Sequence, residues 1–347
     1  MKSWLVMRLP GVPFSMRLSR SAPMILLILS LLSLGVMVAA ISFGEYPVPA
    51  WEVVKTVLGL ETSNPDYAFV VQTLRLPRVL VGFLVGMGLA VSGAIMQSLT
   101  RNVLASPDII GINAGASLVA VTIIVLLPSV PIALLPISAF IGALLTAALI
   151  YGLSRGQGNS TMRLILLGVG IGAIAGAATS ILITFGNIYD VSQALIWMTG
   201  SVYGRSWEHL WPLLPWVILF VPLAWLLAPS LNVLNLGEDM ARGLGNRVEQ
   251  QRLVLMITSV ALAGAAVATA GTVGFVGLMA PHLARQLVGP NHEGLMPTAA
   301  LTGGFMVILA DFCGRSLFAP LEIPCGVMTA LVGAPYFLYI LYRNRHL

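Results

Sequence analysis

Residues 79–100 read VLVGFLVGMGLAVSGAIMQSLT, a charge-free run that follows Arg75-Leu76-Pro77-Arg78 and closes on Arg101. A helix needs about 20 apolar residues to cross the hydrocarbon layer of a bilayer. This run has that length, with Gly, Ala and Ser spread through it as in membrane spans. The pattern recurs along the chain. Residues 21–44, 164–189 and 323–342 each fit one crossing. The uncharged stretch 109–154 is too long for one, and Pro128-Ser129-Val130-Pro131 divides it in two. Residues 209–237 hold another span, ending near Ala228-Pro229. From Arg252 to Arg285, Gly271, Gly274 and Gly277 interrupt a run read as a helix out and a shorter helix back, and residues 296–310 supply one more. The expectation is an all-α polytopic membrane protein with about ten transmembrane helices.

Composition agrees. Of 347 residues, 58% are hydrophobic and only 9% charged, about a third of the charged share of a soluble domain, and mean hydropathy is +0.93. That excludes an ordinary cytosolic enzyme, a disordered chain and a disulfide scaffold. The two cysteines, Cys313 and Cys325, sit in apolar segments and read as packing residues. The net charge of +5 comes from basic residues in short loops rather than one stripe, so nucleic acid is not a partner. The only lysines, Lys2 and Lys55, lack the glycine-rich loop of a Walker A site, so any ATP that drives this protein is hydrolysed on another chain.

An even number of spans puts both termini on one side. With that side cytoplasmic, all but five of the 18 Lys and Arg lie inside, including Lys2, Arg155, Arg242, Arg285 and Arg345, as the positive-inside rule requires. The five outside are Lys55, Arg75, Arg78, Arg205 and Arg315. A cleaved signal peptide would have a shorter apolar run than residues 21–44, which are read as a retained helix after a cytoplasmic tail at 1–20. The pairs Gly82/Gly86, Gly111/Gly115 and Gly172/Gly176 each place two small residues on one helix face, suited to packing within the chain or to a subunit interface.

No Asp, Glu or His falls at mid-membrane, where proton-coupled carriers place relays. Asp311 comes nearest, with Arg315 four residues on, a spacing that allows an ion pair. On the outer face, Arg75 and Arg78 oppose both the positive-inside bias and the helix dipole. They are suited to bidentate pairing with carboxylates of an external partner, to lipid headgroups, or to an internal bond with Glu45, Glu52 or Glu61. On the inner face, residues 236–245 (LGEDMARGLG) read as a short helix ended by Gly245, either solvated or inserted into a groove of a soluble partner. No paired carboxylates, metal-spaced histidines or activated nucleophile appear; His209, His282, His292 and His346 are scattered. No catalytic residue, metal or cofactor is expected.

Many ordered stretches resemble the FecCD-type permease subunits of ABC importers for iron-siderophores, haem and cobalamin. They include Arg75-Leu76-Pro77-Arg78, Ser92-Gly93-Ala94-Ile95-Met96-Gln97, Asn102-Val103-Leu104-Ala105 with Pro107, and Gly111-Ile112-Asn113-Ala114-Gly115-Ala116. Further along come Trp197-Met198-Thr199-Gly200-Ser201, Gly274-Phe275-Val276-Gly277-Leu278 with Pro281-His282 and Arg285, Ala310-Asp311 with Arg315, and Gly333-Ala334-Pro335. The resemblance covers essentially the whole chain. It implies the type II ABC importer permease architecture: ten helices in a single domain (21–347), two permease subunits, same or homologous, around a central pathway, a cytoplasmic ABC ATPase dimer, and an extracytoplasmic substrate-binding protein. The site is then the inner (cytoplasmic) membrane of a bacterium.

The resemblance also implies roles by residue. Arg75, Arg78 and Arg315 would meet glutamates of the binding protein. Glu238, Ala241 and Gly245 would belong to the ATPase-coupling loop (about 229–252), although Ala241 and Gly245 fall one place later than in the EAA loop of other importers. Gln97, Asn113 and Ser117, polar and uncharged, are candidates for the translocation pathway. Gly200-Ser201 followed by Trp207 favours an iron(III)-siderophore as substrate over cobalamin or haem. An ion-coupled secondary transporter is the rival from another class.

Overall fold

The computed structural model describes residues 4–8, 15–154 and 161–343; Lys2, Arg155, Arg345 and His346, used above, lie outside them. Expected as a tail, the first 20 residues include two strands, β1 (Trp4–Arg8) and β2 (Ser15–Ser19), paired antiparallel with Trp4 opposite Ser19 and Arg8 opposite Ser15. Asn291 Nδ2 donates to the Arg17 carbonyl at 2.7 Å, tying β2 to the bundle.

Helices stand at every apolar run. They are α1 (Ala22–Ser42), α4 (Leu76–Thr100), α5 (Ile112–Leu126), α6 (Leu135–Ser154), α7 (Thr161–Phe185), α9 (Trp207–Leu226), α12 (Val248–Ala270), α13 (Val276–Val288), α14 (His292–Ser316) and α15 (Cys325–Arg343). Between them lie the short α2 (Ala50–Val57), α3 (Asp66–Ala68), α8 (Ile188–Thr199), α10 (Ala228–Leu234) and α11 (Glu238–Gly243). Among the described residues, seven helices are long and apolar enough to cross a membrane. Helices α5 and α13, at 15 and 13 residues, rise only about 22 and 20 Å, less than the hydrocarbon layer of about 30 Å.

Two boundaries differ from the sequence expectation. The run 164–189 breaks after Phe185, because Asn187 accepts the Tyr189 N–H through its side chain and so starts α8. The span expected from Val79 begins earlier: α3 continues through a π-helical turn at Phe69–Arg75 into α4, one rod from Asp66 to Thr100.

Helices α4 and α12 fill the centre, with 78% and 83% of their apolar windows buried by the chain itself, against 17% for α1 and 22% for α7. The glycines explain how α4 packs so closely. A Cβ on Gly86 would overlap the Gly303 carbonyl of α14, and one on Gly93 that of Gly277 in α13. Gly115 likewise meets Gly142 and Thr146 of α6, whereas Gly176 faces open space. Ser92 and Ser259 join α4 to α12 by hydroxyl hydrogen bonds at 2.7 and 2.8 Å, satisfying groups that have no water partner there.

Candidate functional site

Three stations along the bundle carry the residues singled out in the sequence. The first is the end where α1 stops and α4 starts. Arg78 grips Asp311 of α14 with both prongs, Nη2 to Oδ1 at 2.8 Å and Nε to Oδ2 at 3.1 Å, and its Nη2 also meets Glu322 at 2.9 Å. Its side chain is 14% exposed, that of Asp311 6% and that of Glu322 38%. Asp311 lies 4.0 Å from Arg315, so the acid predicted to pair four residues along its own helix binds Arg78 more closely.

Arg75 and Arg315 bind backbone. Arg75 donates from Nη1 to the Ile41 carbonyl at 2.6 Å and from Nη2 to that of Tyr46 at 2.7 Å. Arg315 donates from Nη2 to the Ala40 carbonyl and from Nη1 to that of Phe43 at 3.2 Å. Ala40, Ile41 and the cap residue Phe43 end α1, where the helix leaves carbonyls unpaired and its dipole is negative, and Tyr46 lies in the loop beyond. Arg75, at the unfavourable N-terminus of α4, and Arg315, in the last turn of α14, thus both cap a third helix. Glu52, weighed as their internal partner, instead takes the Ser63 N–H and Lys55, each at 3.1 Å.

The second station is a cavity of 390 Å³ between α5, α7 and α8, lined by Asn113, Ser117, Thr179, Ser180, Met198 and Thr272 among others. Hydroxyl and amide groups dominate its polar lining. Asn113 and Ser117 share it because they sit four residues apart on one face of α5. Thr179 and Ser180, polar residues inside an apolar run, were its unused signal in the sequence. Gln97 stands elsewhere: 2% exposed, it accepts from Arg285 Nη1 at 2.5 Å and donates to the Leu278 carbonyl at 3.2 Å.

The third station, at the other end, is α11. Glu238 pairs with Arg252 at 3.1 Å and with Arg242 at 3.7 Å, and Arg242 reaches Glu249 at 3.7 Å. Ala241 is fully buried and anchors the helix. At its end the Asn246 N–H bonds the Ala241 carbonyl and the Gly245 N–H that of Arg242, with Gly245 at φ +79°. This is a Schellman stop, which needs the left-handed conformation glycine adopts without strain. Met240 in α11 and Leu244 at its C-cap, four residues apart, are 62% and 67% exposed, and Leu236 before the helix is 58% exposed. A polar loop helix thus presents exposed apolar side chains, beside a hollow of 420 Å³ lined by Leu244, Gly245, Arg247 and Gln251. Among the described residues, no three His, Cys, Asp or Glu side chains converge as a metal site.

The profile of the FecCD transport family matches residues 26–343. The chain is 42% identical over 318 residues to an Fe(3+)-citrate import system permease protein of Bacillus subtilis, covering 91% of this chain and 92% of that one. It is 45% identical over 318 residues to an achromobactin transport system permease protein of Dickeya dadantii, covering 91% and 90%. With a hemin transport system permease protein of Yersinia pestis it shares 42% over 276 residues, 78% and 83% of the two chains. A solved structure described as an inward-facing conformation of a metal-chelate type ABC transporter superposes with a TM-score of 0.84 at 32% identity, covering 92% of this chain and 99% of that one.

Proposed function

The chain belongs to the FecCD transport family, and on that footing we propose that it is the permease subunit of an ABC importer. It carries an iron(III)-siderophore chelate across the cytoplasmic membrane of a bacterium, with ATP hydrolysed by a separate subunit. The observation that carries this reading is the match, over nine-tenths of both chains, to permeases named for Fe(3+)-citrate and achromobactin. Haem is the second reading, favoured by the 42% identity to the hemin permease.

The working unit in this reading is two permease subunits, an ABC ATPase dimer and an external binding protein. Ten crossings are assigned, with α5, α13 and α15 as the short ones and both termini cytoplasmic. Arg75, Arg78 and Arg315 form the docking end; a partner carboxylate reaches Arg78 by replacing Glu322, the more exposed of its two acids. Glu238, Ala241 and Gly245 shape the coupling helix α11, whose exposed Met240 and Leu244 enter the ATPase. Asn113 and Ser117 line the pathway, and Gln97 joins it in a state where Arg285 has let go. Alternating access then follows from the ATPase biasing one of two arrangements of the bundle.

The test is uptake of a radioactive ferric siderophore into proteoliposomes holding the full complex, with hemin as the competing cargo. Uptake that needs ATP and the binding protein is expected. Uptake by the chain alone, driven by an ion gradient, would refute the proposal in favour of a secondary carrier.

A further inference from the structure

Arg205, one of the five basic residues expected outside, has no part in the roles above. It lies in the turn between α8 and α9, one residue before Ser206 at the start of α9, at the end of the bundle opposite α11. It lines a cavity of 530 Å³ whose walls include Ile124, Ile132 and Trp197 and whose other polar groups include His209 and Glu208. Burial pushes its guanidinium below the usual arginine value. Among the described residues it forms no ion pair, and its Nε is buried without a hydrogen-bond partner.

Its Nη1 faces His209 Nε2 at 3.1 Å. The tautomer whose Nδ1–H donates to Ser206 Oγ at 3.1 Å lets Nε2 accept from Arg205 Nη1. That neutral ring brings no negative charge, and Nε is still left over. A half-buried cation with no carboxylate beside it favours an acceptor with several oxygens. Glu208 is exposed and does not supply it. The cavity is otherwise mostly apolar, and Ile132 and Ile196 on its rim are 70% and 60% exposed. Trp211, 61% exposed, stands within one turn of His209, the kind of residue that marks the headgroup level of a bilayer.

We propose that Arg205 and His209 head a binding site for a phosphate-type oxyanion borne on an apolar tail, a phospholipid whose acyl chain runs along the Ile124, Ile132 and Trp197 wall. The site rests only on the chain's residence in a membrane and not on the docking or coupling roles.

The test uses the full chain purified in neutral detergent and titrated with dioctanoyl phosphatidylglycerol, with retained lipid counted by native mass spectrometry. Wild type should retain lipid, and Arg205→Ala should lower retention about tenfold, whereas Glu208→Gln should keep it. Displacement of the lipid by inorganic phosphate at equal concentration would keep the oxyanion site and make free phosphate its source. Equal retention by wild type and Arg205→Ala would overturn the site. So would an Arg205→Ala chain that holds lipid normally but binds its external protein partner more weakly, since the arginine would then be a docking residue. Arg205→Gln, close in length and still polar, repeats the comparison where the alanine variant does not fold.

Discussion

Replacing Arg78 tests whether its charge cluster with Asp311 and Glu322 holds the bundle together. In Arg78→Gln the doubly bonded Asp311, with 6% of its side chain exposed, loses its nearer cation and keeps only the longer 4.0 Å contact to Arg315, whose Nη atoms are held by backbone carbonyls. Breaking a buried pair from one side costs about 3–5 kcal/mol. Glu322 is 38% exposed and can turn to water, and Gln keeps one donor, so the lower figure applies: about 3 kcal/mol, or roughly a hundredfold in the unfolding equilibrium. Arg78→Glu should be worse, because a third carboxylate beside Asp311 and Glu322 adds repulsion of up to about 4 kcal/mol near a protein surface. Arg78→Gln with Asp311→Asn should recover about 2 kcal/mol of the loss, since the uncompensated carboxylate is gone while Arg315 keeps its bonds to the Ala40 and Phe43 carbonyls. The assay is reversible unfolding of the purified chain in mixed micelles by added denaturing detergent, followed by circular dichroism. A single variant within 0.5 kcal/mol of wild type, or a strictly additive double variant, would refute the reasoning. For the same reason, reversing Arg75, Arg78 and Arg315 together to Glu would unfold this end of the bundle, and Arg75→Gln is the cleaner probe of docking.

Met240→Ser with Leu244→Ser removes two exposed apolar side chains worth about 1–2 kcal/mol each once buried, so affinity for the ATPase subunit should fall at least tenfold while the permease folds normally; unchanged affinity in a binding titration would count against α11 as the contact. Gly245→Ala forces a side chain into the left-handed stop of that helix and should cost about 1 kcal/mol, read as a lower melting temperature, while equal melting would contradict the geometry. Gly86→Leu drives a side chain into the Gly303 carbonyl and should abolish folded protein on size-exclusion chromatography, whereas Gly176→Ala, which meets nothing, should elute as wild type.

The apolar runs made the helices legible because hydrophobic length is a local property, and Pro128, Pro131, Gly271 and Gly274 punctuated them. What escaped depended on contacts between distant segments or on a competing local signal. Asn187 is a cap inside a run that hydropathy alone carries on to Tyr189. The partners of Arg75 and Arg315 are backbone carbonyls 34 and 275 residues away, which carry no sequence signature. Arg78 and Asp311, 233 residues apart, were both noticed, yet spacing paired Asp311 with the nearer Arg315. The stop at Gly245 was readable from residues 236–245, whereas Met240 and Leu244 gained meaning only from their exposure. Asn113 and Ser117 were expected to share a surface with Gln97, but only the first two face the cavity, because Arg285 takes the third.

Helix α5, which supplies Asn113 and Ser117, rises only about 22 Å where the hydrocarbon layer measures about 30 Å. A helix of that length does not by itself reach both headgroup planes, whereas its neighbour across the cavity, α7, rises about 37 Å over 25 residues. The membrane potential is worth about 2.3 kcal/mol per elementary charge per 100 mV whatever the thickness. Where water reaches both ends of α5, the same drop falls over a shorter insulating length and the field is steeper by roughly a third, so a charged cargo there would feel more force per ångström than an ion crossing plain lipid.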